Sequence, residues 1–217
     1  MSPLAVAFLA VTFLTIFLTV RAHRRAGPLV WVLLAYAGLQ YGVAATGFYE
    51  NTEVLPPRFL LNIVPAVLAI LWLFLSDGGK AFADGFIPER MMWVHTVRLP
   101  VEVILFGLFT VGLIPEIMTF TGRNFDILAG LTAPVVWYFA YSRKVLSPGL
   151  FKTWHVLGLL LLLNIVVTAV LSVELPFQQF GFEQPNVGVL MAPYNLLPAM
   201  VVPLVVVGHV VGLRAVR

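Results

Sequence analysis

The chain has 217 residues, of which 60% are hydrophobic and only 11% are charged, with a formal net charge of +3. Soluble domains carry about a quarter of charged residues, so the composition excludes a water-soluble protein, and basic residues near membrane edges do not indicate nucleic-acid binding. The absence of cysteine excludes disulfides, thiolate metal sites, Fe–S clusters and covalently attached haem.

Seven apolar stretches are long enough to cross a bilayer, since a spanning helix takes about 20 residues. We place them at residues 3–20, 28–46, 59–76, 91–114, 126–142, 153–173 and 187–212. The first stretch precedes its positive charges, which is the order of a membrane helix and not of a cleaved signal. Because the spans and their short connections use the whole chain, we expect one domain over residues 1–217, an all-α, polytopic seven-helix transmembrane bundle.

Basic residues are concentrated on alternate connections. One side carries Arg21, Arg24, Arg25, Lys80, Arg90, Arg143, Lys144, Lys152, Arg214 and Arg217, and the other side carries Arg58 and Arg123. By the positive-inside rule, this predicts an N-terminus outside and a C-terminus in the cytoplasm, in the inner membrane of a bacterial-type cell. His23 belongs to the first cationic connection, and we expect it to be solvated.

The fourth span places His95, Arg98 and Glu102 on one helix face. A charge at this depth costs roughly 3 kcal/mol unless it is paired or hydrated. Arg98 and Glu102 are four residues apart, so we expect them to pair with each other. This favours either a structural ion pair or a site in which Glu102 accepts a proton or cation and Arg98 is its partner or binds an anion. Pro100 lacks a donor for the carbonyl of Thr96, so we expect a bend there.

Further polar residues occur in the last two spans. Asn164 lies in the sixth span, and Asn195 lies among Pro193, Pro198 and Pro203 of the seventh, which we expect to be kinked or partly unwound around it. Broken helices expose carbonyls that bind ions or substrates. Our leading hypothesis is therefore binding or translocation of a small molecule or ion along a seam of Arg98, Glu102, Asn164 and Asn195.

Three histidines fall at similar depth on three spans, His95, His155 and His209. One interpretation is a metal site, because three imidazoles on Zn²⁺ leave a fourth position for water, with Glu102 or Asp77 as a base. A variant is a b-type haem held by two of the three. The alternative is that each ring marks the membrane interface beside tryptophan or arginine. No HExxH pair is present to favour zinc, so these interpretations stay open.

The outer side carries its own polar set, which is either a ligand mouth or ordinary loop structure: Glu50, Arg123, Asp126, Gln178 and Gln179. We expect Asp126 to cap the fifth helix, and the aromatic connection 174–186 to fold back over the helix ends. Lipid is the expected partner, with a small molecule or ion as ligand and a homo-oligomer or membrane complex as further options. A non-catalytic subunit is therefore a third interpretation, and the sequence leaves enzymatic activity undecided.

Overall fold

The structure is a computed structural model that describes residues 1–216. It is helical, with an isolated bridge between His23 and Phe86 and no β-strand among the described residues. Arg217, one of the two basic residues expected on the C-terminal tail, lies outside the described residues. The predicted all-α class is confirmed.

Five helical segments are long and apolar enough to cross a membrane. They are α1 (Pro3–Arg21), α2 (Ala26–Ala45), the segment Pro88–Thr110, α8 (Pro148–Leu171) and the segment Leu197–Ala215. These segments agree with the first, second, fourth, sixth and seventh expected spans to within a few residues, except that the last begins ten residues later than expected. The protein is therefore a membrane protein with several apolar helices.

The third expected span is broken. Helix α3 (Leu60–Leu75) and helix α4 (Asp77–Ala83) meet at an angle of 88°, and together they would give a sixth crossing. Ser76 joins them in an extended conformation, and its hydroxyl accepts the N–H of Gly79 at 3.0 Å while donating to the carbonyl of Trp72 at 2.8 Å. The bend therefore has a cap that stabilises it.

The fifth expected span is shorter than a full crossing. Helix α7 (Ile127–Trp137) continues into a π-helical turn (Tyr138–Ser142), which gives 16 residues. Before it, the segment 111–126 folds back into the bundle, and its residues Ile114, Met118 and Asn124 are at most 1% exposed. Other residues of the segment are exposed, Val111 at 58% and Phe125 at 53%, so the segment as a whole is only partly buried.

The segment Pro88–Thr110 lies at the centre of the bundle. It consists of α5 (Pro88–Met91), a 3₁₀ stretch (Met92–Val97) and α6 (Arg98–Thr110), and it contacts α1, α7 and α9 (Val202–Ala215). Helix α9 also packs on α8 and α3, whereas α2 buries only Ala37, Gln40 and Ala44. The two segments that carry His95, Arg98, Glu102 and His209 are thus the most buried of the five long helical segments.

The expected unwinding around Asn195 is confirmed. A π-helical turn (Leu197–Val201) precedes α9, and the residues from Met191 to Asn195 form a turn in place of the expected helix. Pro198 and Pro203 have no N–H to donate, so regular i to i−4 bonding is interrupted there. At Pro100 the predicted bend takes another form, because the chain before it tightens into the 3₁₀ stretch.

The first connection is tied to the α4–α5 connection. The N–H of Arg24 donates to the carbonyl of Gly85 at 3.0 Å, and the N–H of Ile87 donates to Ala22 at 2.8 Å. His23 is only 4% exposed, because its ring packs between Phe82 and Phe86 with centroids 4.3 and 4.6 Å away. The expectation that His23 is solvated is therefore wrong.

Candidate functional site

Three histidine rings from three helical elements meet inside the bundle. His95, His155 and His209 are fully buried, and one nitrogen of each ring lies within 4.8 Å of one nitrogen of the others. Ring centroids are 4.0 Å apart for His95 and His209, 5.2 Å for His155 and His209, and 5.8 Å for His95 and His155. We call these residues the histidine cluster.

The 3₁₀ stretch explains where the side chain of His95 points. A 3₁₀ helix has three residues per turn, so residues three apart lie directly above one another. Arg98 follows His95 by one turn of the 3₁₀ stretch, so the two side chains leave the same face of the segment. Both are buried, at 0% and 2% exposure. The tight turn therefore brings an imidazole and a guanidinium into one site.

Glycines on the neighbouring helices make room for the rings. Helices α8 and α9 pack side by side in opposite directions. Each carries the sequence His-x-x-Gly, at 155–158 and 209–212. A Cβ placed on Gly158 would overlap the ring of His209, and a Cβ on Gly212 would overlap the ring of His155. Each ring thus sits against a bare backbone on the opposite helix. The two His-x-x-Gly motifs are visible in the sequence, but they were not among the features predicted to form a site.

Trp154 covers the histidine cluster. Its ring centroid lies 5.3, 5.0 and 5.5 Å from those of His95, His155 and His209, and its Nε1 donates to Oγ1 of Thr132 at 2.9 Å. The hydrogen bond fixes the indole between α7 and α8. An indole so placed separates the imidazoles from the surface of the bundle.

Arg98 makes hydrogen bonds to three other helical elements. Its Nε donates to Oδ2 of Asp126 at 2.7 Å and its Nη2 donates to Oδ1 of the same carboxylate, which is a two-pronged ion pair. Nη2 also donates to the carbonyl of Gly158 at 3.1 Å, and Nη1 to Nε2 of His209 at 2.8 Å. The guanidinium therefore joins α6, α7, α8 and α9.

Two predicted contacts are wrong as a result. Arg98 pairs with Asp126 and not with Glu102, because the segment 111–126 carries a second carboxylate into the bundle. Asp126 makes no capping hydrogen bond at the start of α7, since its carboxylate is bound to the guanidinium. Asp126 also lies in the interior, at 4% exposure, and not at an outer mouth.

The guanidinium of Arg98 determines which nitrogens of His209 and His155 carry a proton. Arginine only donates, so Nε2 of His209 accepts, and the proton of the neutral ring lies on Nδ1. That proton is shared with Nδ1 of His155, 3.0 Å away. His155 then carries its own proton on Nε2, which has no hydrogen-bond partner among the described residues, and neither ring nitrogen of His95 has one.

Glu102, one turn after Arg98 on α6, extends the polar contacts further along this helix. Its Oε1 accepts from Nδ2 of Asn124 at 2.6 Å, and Oδ1 of Asn124 accepts the N–H of Asp126 at 3.1 Å. Oε2 of Glu102 is buried without a hydrogen-bond partner among residues 1–216. We call the hydrogen-bonded residues together with His95, which packs against His209, the buried polar centre: His95, Arg98, Glu102, Asn124, Asp126, His155 and His209. Asp77, the other carboxylate considered as a base, is exposed on α4 and pairs with Lys80 at 3.6 Å.

Two members of the predicted seam lie elsewhere. Asn164 is exposed, with its amide donating to the carbonyl of Arg123 at 3.0 Å, so the expectation that it faces the interior is wrong. Asn195 is fully buried but belongs to a different cluster, in which its Nδ2 donates to the carbonyl of Gln40 at 3.0 Å and to Oδ1 of Asn62 at 3.2 Å. Gln40 and Asn62 were not among the predicted site residues.

The remaining outer residues are not brought together. Gln178 and Gln179 donate to carbonyls two residues away, and the guanidinium of Arg123 lies 5.9 Å from the ring of Phe180. Glu50 is exposed. The expected fold-back of 174–186 is confirmed, because Nε2 of Gln184 donates to the carbonyl of Phe109 at 3.0 Å.

An apolar cavity of about 400 Å³ lies between α3, α8 and α9. Its walls are formed by apolar side chains, among them Phe59, Ile70 and Val206. The cavity lining includes no member of the buried polar centre. The polar groups are therefore enclosed by protein and do not line this cavity.

Fold and site together define an all-helical membrane protein whose central helices enclose a histidine cluster and a buried ion pair. Residues 55–217 match the family described as Domain of unknown function (DUF8737), and the chain belongs to that family. The match covers α3 to α9 and so includes every residue of the buried polar centre. No curated protein and no solved structure matches the chain.

Proposed function

We propose that this protein is a membrane metalloprotein in which His95, His155 and His209 bind one divalent transition-metal ion, with zinc as the first choice. The observation that carries the proposal is the approach of three buried imidazoles from three helical elements, with ligand nitrogens within 4.8 Å of one another. Three protein ligands leave a fourth position open, which is typical of catalytic zinc and not of structural zinc.

The distances support a metal of this size. Tetrahedral zinc with Zn–N bonds of about 2.0–2.1 Å holds its ligand nitrogens roughly 3.4 Å apart. Nδ1 of His155 and Nδ1 of His209 are already 3.0 Å apart, and no separation in the cluster exceeds 4.8 Å, so the longest would shorten by at most about 1.4 Å. A b-type haem is not supported, because rings 4.0–5.8 Å apart that rest on glycine backbone leave no width for a porphyrin.

Unpartnered nitrogens give separate support. Three of the six ring nitrogens, both of His95 and Nε2 of His155, have no hydrogen-bond partner among the described residues. A buried polar group left without a partner costs about 1–3 kcal/mol. A metal ion would give a partner to a nitrogen of His95, whereas Nε2 of His155 would keep its proton.

Arg98 and a metal compete for His209. If a metal binds Nδ1, the remaining ring proton lies on Nε2, where it would face the Nη1 donor of Arg98. Metal binding therefore requires the guanidinium or the ring to turn. The double variant Arg98→Gln with Asp126→Asn removes both charges and supplies an amide oxygen that can accept from Nε2, so we expect it to bind metal more tightly than the wild type. Weaker binding by a folded double variant would contradict this coupling.

Metal analysis of the purified protein tests the proposal. We expect about one equivalent of metal in the wild type and a loss of it in His95→Gln, which removes a ligand that has no hydrogen bonds to the protein. His23→Gln is the matched control, because His23 is also buried but lies in another part of the bundle. A metal-free wild type that takes up no added zinc, or equal metal in His95→Gln, would rule the proposal out.

We further propose seven crossings, with the N-terminus outside and the C-terminus in the cytoplasm of an inner membrane. The distribution of basic residues supports this orientation, and the partly buried segment 111–126 would complete the crossing of the short fifth helix. The chain has no cysteine, so single cysteines at Arg24 and Glu53 can be labelled in cells with a membrane-impermeant maleimide. We expect labelling at 53 and none at 24; the reverse pattern would overturn the orientation.

Binding or translocation of a small molecule or ion is the second candidate. Its support is Glu102, whose Oε2 is buried without a partner beside the Arg98–Asp126 pair. The separation of Asn164 and Asn195 from that pair removes half of the expected seam. A protein that contains no metal but loses ligand binding in Glu102→Gln would favour this function. A non-catalytic subunit predicts co-purifying partners and unchanged behaviour in both variants.

A further inference from the structure

We propose that a pocket on the basic face of the bundle binds the phosphate of an anionic phospholipid. The pocket has a volume of about 460 Å³ and is formed by the first connection, the inner end of α3 and helix α4. Arg24 and Arg25 lie on one side of it, and Trp72 and Phe82 on the other. We call it the basic pocket; it shares no residue with the buried polar centre.

The wall that carries the two arginines is fixed by hydrogen bonds. Nδ1 of His23 accepts the N–H of Arg25 at 3.0 Å, so the ring proton lies on Nε2, which donates to the carbonyl of Phe82 at 3.0 Å. The N–H of Arg24 donates to the carbonyl of Gly85 at 3.0 Å. Both arginines therefore extend from a backbone that is tied to the far side of the pocket.

The two guanidiniums are free to take an anion. Arg24 and Arg25 are exposed, and neither side chain has a hydrogen bond or ion pair to another described residue. The two acids at the ends of α4 are engaged, since Asp77 pairs with Lys80 at 3.6 Å and Asp84 pairs with Arg214 at 2.6 Å. Guanidinium groups bind phosphate oxygens in a planar, two-pronged geometry.

The surroundings identify the anion as part of a lipid. Trp72, which is 54% exposed, lines the pocket at the α3–α4 bend, and tryptophan side chains collect at the headgroup level of membranes. Leu71 and Leu75 of α3 and Trp31 of α2 are exposed next to this level and offer contact to acyl chains. Basic pockets at the cytoplasmic membrane face bind anionic lipid head groups.

Lipid binding to the purified protein tests the proposal. Native mass spectrometry and thermal unfolding would be measured with phosphatidylglycerol, phosphatidylcholine and inorganic phosphate. We expect phosphatidylglycerol to bind most tightly and raise the Tm most, and binding to weaken on the order of tenfold in Arg24→Gln with Arg25→Gln, because charge-assisted hydrogen bonds are lost. Neither side chain has a hydrogen bond or ion pair to another described residue, so the variant is expected to fold.

The double variant Arg143→Gln with Lys144→Gln is the control, because it removes the same charge from another connection on the basic face. Equal loss of phosphatidylglycerol binding in both double variants would mean a diffuse surface charge and would overturn the proposal. An equal Tm shift with inorganic phosphate would identify a free-anion site and would overturn the lipid assignment. Both outcomes are independent of the metal content of the histidine cluster.

Discussion

Removing one partner of the Arg98–Asp126 ion pair tests, through the free energy of unfolding, whether this pair is buried. Arg98→Met would leave the carboxylate of Asp126 at 4% exposure without its counter-ion, and Asp126→Leu would leave the guanidinium at 2% exposure. Breaking a buried ion pair in this way costs about 3–5 kcal/mol. We therefore expect each single variant to lower the free energy of unfolding by roughly that amount.

The double variant Arg98→Met with Asp126→Leu separates the pair from its surroundings. Replacing both charges by apolar groups is often neutral, but here Nε2 of His209 also loses its donor, at about 1–3 kcal/mol, in the double variant as in Arg98→Met alone. The expected cost of the double variant is thus about 1–3 kcal/mol, against roughly 6–10 kcal/mol for the two single variants added together, besides the same His209 term. That term cancels, so the coupling energy is on the order of 6 kcal/mol.

The free energies would be measured by SDS titration in mixed micelles, followed by tryptophan fluorescence. The Arg214–Asp84 pair serves as the matched control, because its side chains are 27% and 68% exposed and exposed ion pairs contribute about 0–1 kcal/mol. The same substitutions at 214 and 84 should give a coupling below about 1 kcal/mol. A coupling at 98 and 126 no larger than that of the control would refute the buried geometry of the site.

Three further outcomes are expected. Gly158→Ala should destabilise the bundle by about 1–3 kcal/mol through overlap with His209, whereas Gly38→Ala, with open space around it, should gain up to about 1 kcal/mol of helix propensity; equal effects in thermal unfolding would contradict the packing. Asn62→Leu should cost about 1–3 kcal/mol by removing two buried hydrogen bonds with Asn195, more than Asn164→Leu at its exposed position; the opposite order would show that Asn164 is the interior residue. Zinc at 100 times its Kd should stabilise the wild type by about 2.7 kcal/mol but not His95→Gln, and a Tm rise in both would place the metal elsewhere.

The lengths and positions of most helices could be predicted from the sequence. The bilayer demands about 20 apolar residues per crossing, so residues 3–20 and 28–46 agree with Pro3–Arg21 and Ala26–Ala45 to within two residues. The two errors have a common cause: residues 111–114 and 187–195 are apolar enough to resemble membrane helix, but in the structure they lie outside the α-helices.

The choice of site residues was partly predictable. Counting about 1.5 Å per residue along each span places His95, His155 and His209 at one depth, which is a property of the sequence alone. The depth of a residue does not tell which way its side chain points around the helix axis, however. That direction makes Asn62 fully buried and Asn164 exposed. Both asparagines occur in the same Leu-Leu-Asn-Ile-Val sequence, so local sequence could not distinguish them.

The sequence by itself determined that this chain is a helical membrane protein with charges where lipid would not tolerate them unpaired, because hydropathy and charge act locally and add along the chain. Tertiary structure alone decided that Arg98 meets Asp126 and that the three imidazoles converge on facing glycines. Those contacts join residues 28 to 114 positions apart in the chain, and they depend on how four helices are rotated and packed against one another.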